Sequence, residues 1–287
     1  MELEKQNNKI RTIVYVCPVD HNGSSVFVKG WIAPSEKFQA NPVILVHDLD
    51  ESPDDYIQCA EKLAKAGCNV YTFELRIQTK RMRGSGMLDF NNYSSDLLQV
   101  VSWIKHKESG RKPVIAGQGF GALVALHFAQ KYSKYVSAFV FAAPLFSIHQ
   151  EVTSFKRFFI RTFAQIAPFF KCPPSLAIAF SEHSKKDSKK RKTRLPLYLT
   201  QELLVSISRS HKLFSRLSLP TLILYPEVDP VCQYDFLKRL ISKHTNEEKM
   251  SLVMLEMQGH QILTQDGEFL DSVLSILIPW LKVHGNT

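Results

Sequence analysis

Two hydrophobic periods alternate along this chain. Short runs rich in β-branched and aromatic residues predict eight strands: Thr12–Val16, Val26–Trp31, Val43–His47, Asn69–Phe73, Pro113–Ala116, Ala138–Ala142, Thr221–Tyr225 and Ser251–Leu255. The first two read as a hairpin closed by H-N-G-S-S. Later runs such as V-I-L-V and T-L-I-L-Y are apolar without alternation, as strands buried on both faces of a parallel sheet are. Between the strands the period lengthens and predicts helices over Pro53–Ala66, Asn92–Lys107, Ala122–Tyr132, Gln233–Ser242 and Asp266–His284. The first of these has Ser52 as its N-cap, Pro53 in its first turn and Gly67 at its end. Such βαβα alternation predicts a three-layer α/β fold. It is interrupted once, by about 75 residues from Leu145 to Leu219 that hold helical patterns but no strand. That stretch reads as an insertion over the carboxyl edge of the sheet, where α/β proteins place their sites.

Composition narrows the class. The chain has 287 residues, of which 45% are hydrophobic and 22% charged, which excludes disordered, collagen-like and coiled-coil chains and permits one large core. No apolar run approaches the roughly 18 residues of a membrane span, and the start, M-E-L-E-K-Q-N-N-K-I, does not read as a leader. The expectation is a cytoplasmic protein. Its cysteines (Cys17, Cys59, Cys68, Cys172, Cys232) are odd in number and scattered without C-x-x-C, so they are expected to be structural thiols, with no metal site and no cofactor. Net charge is +9, but the run Lys185–Arg194 alone carries +6. The remaining +3 does not make a nucleic-acid-binding surface, and nucleic acid is not an expected partner.

The chemistry concentrates in R-K-P-V-I-A-G-Q-G-F-G-A-L-V-A-L-H-F-A. A strand ends at Ala116, the turn Gly117-Gln118-Gly119-Phe120-Gly121 follows, and an Ala- and Leu-rich helix begins at once. This is the strand–turn–helix setting of the nucleophile elbow, G-x-S-x-G, with Gly119 in the position of the nucleophile. Further along, T-L-I-L-Y runs into P-E-V-D-P-V and places Asp229 after one strand. S-L-V-M-L runs into E-M-Q-G-H and places His260 after the next. Taken singly, Asp-Pro is a turn former and a loop histidine is polar surface. In the order Gly119, Asp229, His260, behind an elbow-shaped turn, they match a Ser-Asp-His triad with its first member erased.

On these residues the chain resembles the α/β-hydrolase superfamily, and within it the branch of monoacylglycerol lipases, lysophospholipases and serine-aminopeptidase-like proteins. The resemblance spans roughly residues 12–284 and implies a mostly parallel eight-stranded sheet flanked by helices. It also implies a single domain over 1–287, with residues 145–219 as a helical lid. That branch carries H-G-x-G-E-H after its third strand, and the matching stretch is His47-Asp48-Leu49-Asp50-Glu51-Ser52. The resemblance makes the backbone N–H groups of Leu49 and Phe120 the oxyanion donors. The family's D-x-R-G-x-G-x-S becomes Glu74-Leu75-Arg76-Ile77-Gln78-Thr79, and a downstream family aspartate matches Asp96.

Three departures matter together. The nucleophile is missing, and aspartates replace both glycines of the oxyanion motif at positions 48 and 50. The motif after the fourth strand has also lost its glycines. An aimed oxyanion donor is worth about 3–4 kcal/mol, and a nearby carboxylate opposes the charge it is meant to stabilise. Ser85, in Gly84-Ser85-Gly86, lies off any strand-to-helix elbow and is not expected to substitute.

In the insertion, Val152, Phe155, Phe159, Phe163, Ile166 and Phe170 recur at helical spacing, with Lys156, Arg157 and Arg161 off that face and Pro168 expected to end the helix. This face reads either as an ordinary buried cap or as a lipid-facing lid. Phe155, Phe159 and Phe163 are its candidate pocket residues. Lys185–Arg194 reads as a solvated loop, with attraction to anionic membrane and then nuclear targeting or nucleic-acid contact as the alternatives. The function that follows is a catalytically impaired pseudo-hydrolase that binds a small acyl-ester or lipid ligand, with peripheral contact to anionic membrane. Two alternatives stay open: an active serine carboxylic-ester hydrolase whose nucleophile is substituted in this chain, and non-hydrolytic chemistry on the His–Asp pair.

Overall fold

The first two apolar runs pair as β1 (Arg11–Pro18) and β2 (Ser25–Ile32), antiparallel, with Val14 opposite Lys29. The structure, a computed structural model, describes residues 10–18, 25–34, 40–76, 89–173, 175–176, 178, 180, 195–243 and 247–284. Most of the expected H-N-G-S-S turn, Ser85 and Lys185–Arg194 therefore lie outside the described residues. The other strands are β3 (Ala40–Val46), β4 (Cys68–Phe73), β5 (Val114–Gln118), β6 (Ala138–Ala142), β7 (Thr221–Val228) and β8 (Met250–Gln258). Their order across the sheet is β1-β2-β4-β3-β5-β6-β7-β8, antiparallel at β1/β2 and β2/β4 and parallel from there on.

Burial follows the patterning. Every residue of β4, β5 and β6 is buried, so side chains on both faces must be apolar or paired, which is why these runs lack alternation. Helices cover both faces. On one side lie α2 (Phe90–Lys107), α3 (Phe120–Tyr132), α5 (Leu197–Phe214) and α6 (Tyr234–Ser242), contributing Leu97, Leu123, Leu203 and Leu237 to one core. On the other lie α1 (Ile57–Lys65) and α7 (Glu268–His284), which add Leu63 and Leu274 to a second. This is the mostly parallel, helix-flanked sheet that the sequence leads one to expect. Among the described residues, no helix is long and apolar enough to cross a membrane.

Element ends differ from the patterning where backbone groups, not apolar residues, set them. Helix α2 starts at Phe90, not Asn92, because Asp89 accepts the Asn92 N–H and the Asn92 side chain accepts the Asp89 N–H, each at 2.9 Å. Pro53–Tyr56 forms a tight 3₁₀ turn ahead of α1, and α7 starts at Glu268 rather than Asp266. Strands β7 and β8 continue past their apolar runs to the pair Val228–Gln258, so the polar tail of each strand stays in the ladder. Both loops that follow therefore leave the sheet side by side.

Between β6 and β7 the chain forms α4 (Ser154–Ile166) and α5. Helix α4 stops two residues short of Pro168. Its buried residues are Ile160 and Ala164, and this corrects the first of the two expected readings, that the aromatic row is an ordinary buried cap. Phe155 is 69% exposed, Phe163 41% and Ile166 74%, so the aromatic row does not line an enclosed pocket. Ile160 and Ala164 face the neighbouring elements, while Phe155 and Phe163 lie outward and pack on the half-buried Phe159 between them, at 4.4 and 5.9 Å.

Candidate active site

The elbow is present as backbone. Strand β5 ends at Gln118 and α3 begins at Phe120, with Gly119 between them at φ 52°, ψ −113°. Gly119 accepts this left-handed φ without the strain a side chain would bring. The flanking Gly121 is demanded by close approach, since a Cβ there would stand 2.9 Å from the His47 carbonyl oxygen and nearer still to that of Val46. The helix α3 starts directly from the turn, two residues before the sequence pattern suggests, because Gly119 is its N-cap.

The space a nucleophile would fill is not empty. Asp48, on the turn after β3, reaches into it. A Cβ built on Gly119 would lie 2.6 Å from Asp48 Oδ2, and closer to Cγ and Oδ1. The Phe120 N–H donates to Asp48 Oδ1 at 2.7 Å, and the Leu49 N–H also donates to this carboxylate. The two groups expected as oxyanion donors are thus both engaged by a carboxylate of the chain itself. Sequence reasoning foresaw a carboxylate opposing the hole; it did not foresee one inside it.

Opposite stand the other two residues. His260 Nδ1 lies 2.8 Å from Asp229 Oδ2 and 3.0 Å from Oδ1, while Asp229 Oδ1 also accepts the N–H groups of Val231 and Cys232. His260 Nε2 faces Asp48 Oδ2 at 3.6 Å. The three side chains form an Asp–His–Asp row, all buried. Burial by itself would lower the pKa of His260. The hydrogen bond and charge of Asp229, then the charges of Asp48 and Glu51, outweigh it and raise the value to about 9. At neutral pH this imidazole is a cation held between carboxylates, not a free base. Burial pushes the Asp48 carboxyl above its ordinary value, against the pull of His260 and the N–H groups of Phe120 and Leu49.

A second layer joins the loops. Glu51 accepts the Asp48 N–H at 3.0 Å, Tyr56 O–H and Gln118 Nε2 at 2.5 Å each, and Thr264 Oγ1 at 2.9 Å. Gln118 Oε1 in turn accepts the N–H groups of Ile262 and Leu263 at 2.8 and 2.7 Å. The β3 turn, the elbow and the His260 loop are therefore one polar lattice. Burial, then the charge of Asp48, raises Glu51 to about 7. His47 is locked as well: its Nδ1 donates to the Asp48 carbonyl at 2.7 Å and its Nε2 accepts the Leu75 N–H at 3.0 Å. Burial lowers its pKa to about 4, so it stays neutral.

The sequence did not announce Glu51 and Gln118 as positioning residues, although both sit inside quoted motifs. A glutamate and a glutamine sit buried only when paired, and their partners come from other loops. Arg76 and Asp96, remnants of the motif after β4, form a bidentate ion pair. The hydroxyls of Tyr93 and Tyr198 are buried without a hydrogen-bond partner, and the Tyr93 ring packs edge-on against Phe120 at 5.4 Å.

As for metals, Asp229, Cys232 and His260 place ligand atoms within 4.8 Å of one another. The donor set fits an ion poorly. Asp229 is committed to His260 and two N–H groups. Burial, then the charges of Asp229 and Asp48, raises the Cys232 thiol well above its ordinary value, away from the thiolate a metal needs.

A sheet of this order, an elbow after its fifth strand and a His–Asp pair after its last two define the α/β-hydrolase architecture. The serine aminopeptidase, S33, family matches residues 39–267, and the chain belongs to it. Among curated proteins, none matches this sequence. Solved structures share the fold at low identity. A monoacylglycerol lipase from Paleococcus ferrophilus is 20% identical, with 91% of this chain and 100% of that one covered at a TM-score of 0.70. A soluble variant of monoglyceride lipase from Saccharomyces cerevisiae, in complex with a substrate analog, is 14% identical, covering 97% and 98% at 0.72. A thermostable carboxyl esterase from Bacillus coagulans, in complex with glycerol, is 13% identical, covering 96% and 98% at 0.76.

Proposed function

We propose that this chain is a catalytically impaired member of its family that holds a small acyl-ester or lipid ligand and does not hydrolyse esters by the serine route. The observation that carries the reading is the Asp48 carboxylate, lodged where the nucleophile would stand and bonded to Phe120, one of the two donors an acyl oxyanion would need. Gly119 is the vacant nucleophile position, Leu49 and Phe120 the engaged oxyanion donors, and Asp229 and His260 the retained acid–base pair. Residues 145–219 act as a helical lid. The outward row Phe155, Phe158 and Phe163, flanked by Lys156, Arg157 and Arg161, supports contact between that lid and an anionic membrane. Five buried cysteines without a disulfide support action in a reducing, cytoplasmic setting.

The test is a fluorophosphonate probe together with a non-hydrolysable ether analogue of a monoacylglycerol. The native chain is expected to bind the analogue and to stay unlabelled. Gly119→Ser alone is expected to stay unlabelled too, because its side chain would meet Asp48, whereas Gly119→Ser with Asp48→Gly is expected to label. Labelling of the native chain, or full labelling of the single variant, would overturn the reading. For the lid, Phe155→Ser with Phe163→Ser should abolish sedimentation with phosphatidylserine vesicles at all salt concentrations; a native chain that does not sediment removes the membrane contact.

A further inference from the structure

The elbow lies where β5 ends; a separate cleft lies where β5 and β6 begin. We propose that this second cleft binds a phosphate monoester through Lys105, His106, Ser102 and Ser109. The cleft has a volume of about 460 Å³, between the last turn of α2 and the 3₁₀ turn Ser133–Tyr135, and its walls are Ser102, Lys105, His106, Ser109, Gly110 and Tyr135. A volume of this order suits a small molecule better than a bare ion. Strands β5 and β6 start just beyond these walls, at Val114 and Ala138, so the cleft stands at the opposite edge of the sheet from Gly119. The proposal therefore does not rest on the ligand or the impaired chemistry of the elbow.

Charge is the first support. Between Asp96 and Glu151 the sequence holds six lysines and arginines but one acid, Glu108. That acid does not neutralise the cleft. Glu108 is buried, and its carboxylate accepts Asn69, Tyr71 and Arg111, which engages Arg111 as well. Lys105 and His106 thus line a cleft whose described walls include no acid, and Lys134, 5.1 Å from the centre of the Tyr135 ring, adds a cation beside it. Cations gathered without an acid between them attract an anion. The end of α2 would ordinarily oppose one, because its last carbonyls carry partial negative charge. Here the N–H groups of Glu108 and Gly110 cap the carbonyls of Ile104 and Lys105 at 2.8 Å each, and the Arg111 N–H caps that of Glu108 at 3.1 Å.

Backbone conformation is the second support. Ser109 sits at φ 53° and Gly110 at φ 87°, both left-handed. Glycine would take position 109 without strain, as it does in most helix ends of this shape. What serine adds there is a hydroxyl among the walls of a basic cleft, and a strained residue in such a place points to a ligand. A Cβ on Gly110 would meet nothing within 4 Å, so the turn stands open beside it. The donor set selects the ligand. An ammonium, an imidazole and two hydroxyls match a phosphate group, whose oxygens offer acceptor lone pairs in every direction. The Tyr135 ring and the aliphatic stem of Lys105 give the rest of the ester an apolar surface to lie on.

The experiment titrates the full chain, labelled with nitrogen-15, with phenyl phosphate, inorganic phosphate and phenol, and follows the backbone amide signals. Phenyl phosphate is expected to move the amides of Ser102, Lys105, Ser109, Gly110 and Tyr135 along one saturable curve. Inorganic phosphate is expected to move the same amides with weaker affinity, and phenol to move none. Lys105→Ser should weaken phenyl phosphate by about tenfold or more, the loss of one charge-assisted hydrogen bond. Ser109→Gly should weaken it too while the melting temperature holds or rises, a split that a purely structural residue would not produce. Both variants lie at the surface, and a melting curve confirms that each is folded. The proposal is overturned if millimolar phenyl phosphate gives no saturable shift at these amides, or if Lys105→Ser binds it as the native chain does. Equal affinity for inorganic phosphate would also overturn it, since the cleft would then hold a bare anion and not an ester.

Discussion

On the side of the site built by β7 and β8, side chains and backbone agree: Asp229 accepts Val231, Cys232 and His260, and each of those bonds fixes the loop that carries the others. On the side built by β5 and α3, the backbone keeps its elbow at φ 52° although the side chain that gives such a turn its purpose is absent. The two sides separate what holds a site from what uses it. The elbow persists because Gly121 packs against the carbonyls of Val46 and His47 and because α3 must start there, neither of which needs a hydroxyl. His260 is held by Asp229 and also faces a second carboxylate, Asp48. The buried space beside Gly119 is filled by a carboxylate from the adjoining turn, Asp48.

The comparison breaks most directly at the elbow. Gly119→Ser should destabilise the chain by about 2–4 kcal/mol, from a strained φ and from overlap with Asp48. In the Asp48→Gly background the same change should cost at least about 1 kcal/mol less, since only the strain remains. A double-mutant cycle by urea denaturation measures the difference, and additive costs would mean that Asp48 can swing clear of the elbow.

A smaller effect sharpens the other side. His260 is raised from 6.5 to about 9, so its proton stabilises the folded state fully below pH 6.5, and that contribution is lost as pH rises through about 9. Glu51, raised from 4.5 to about 7, has the same sign over its own lower window. Above pH 7 the His260 contribution remains, and melting temperature should fall between pH 7 and 9, by the equivalent of about 1–2 kcal/mol. In His260→Gln that slope should flatten. A melting temperature that rises with pH over this window would show that His260 is neutral in the folded chain.

Much of this was legible in the residues. Unalternating apolar runs spaced by helical periods marked the parallel sheet, and the loops after β5, β7 and β8 could be named because turn residues follow strands there. The outward face of α4 was harder to read. Phe155, Phe159 and Phe163 have the right period, but period gives the spacing of a stripe and not the side on which the neighbours lie, and Ile160 and Ala164 are the residues that pack. Glu51 and Gln118 were hidden for a related reason: their partners are separated from them by up to 213 and 145 residues in sequence.

What the sequence by itself determined was the set of positions at which the chain leaves the sheet, together with the residue at each, because strand periodicity and glycine or proline punctuation are local properties. It therefore identified Gly119, Asp229 and His260, and it supplied a carboxylate at position 48. Where that carboxylate points was decided only in three dimensions. Asp48 follows β3, which lies beside β5 in the sheet but 72 residues before Phe120 in the chain. Their adjacency comes from strand order. The direction of the side chain comes from the Glu51 clamp on its backbone and the donors waiting at the elbow, and no local pattern encodes either.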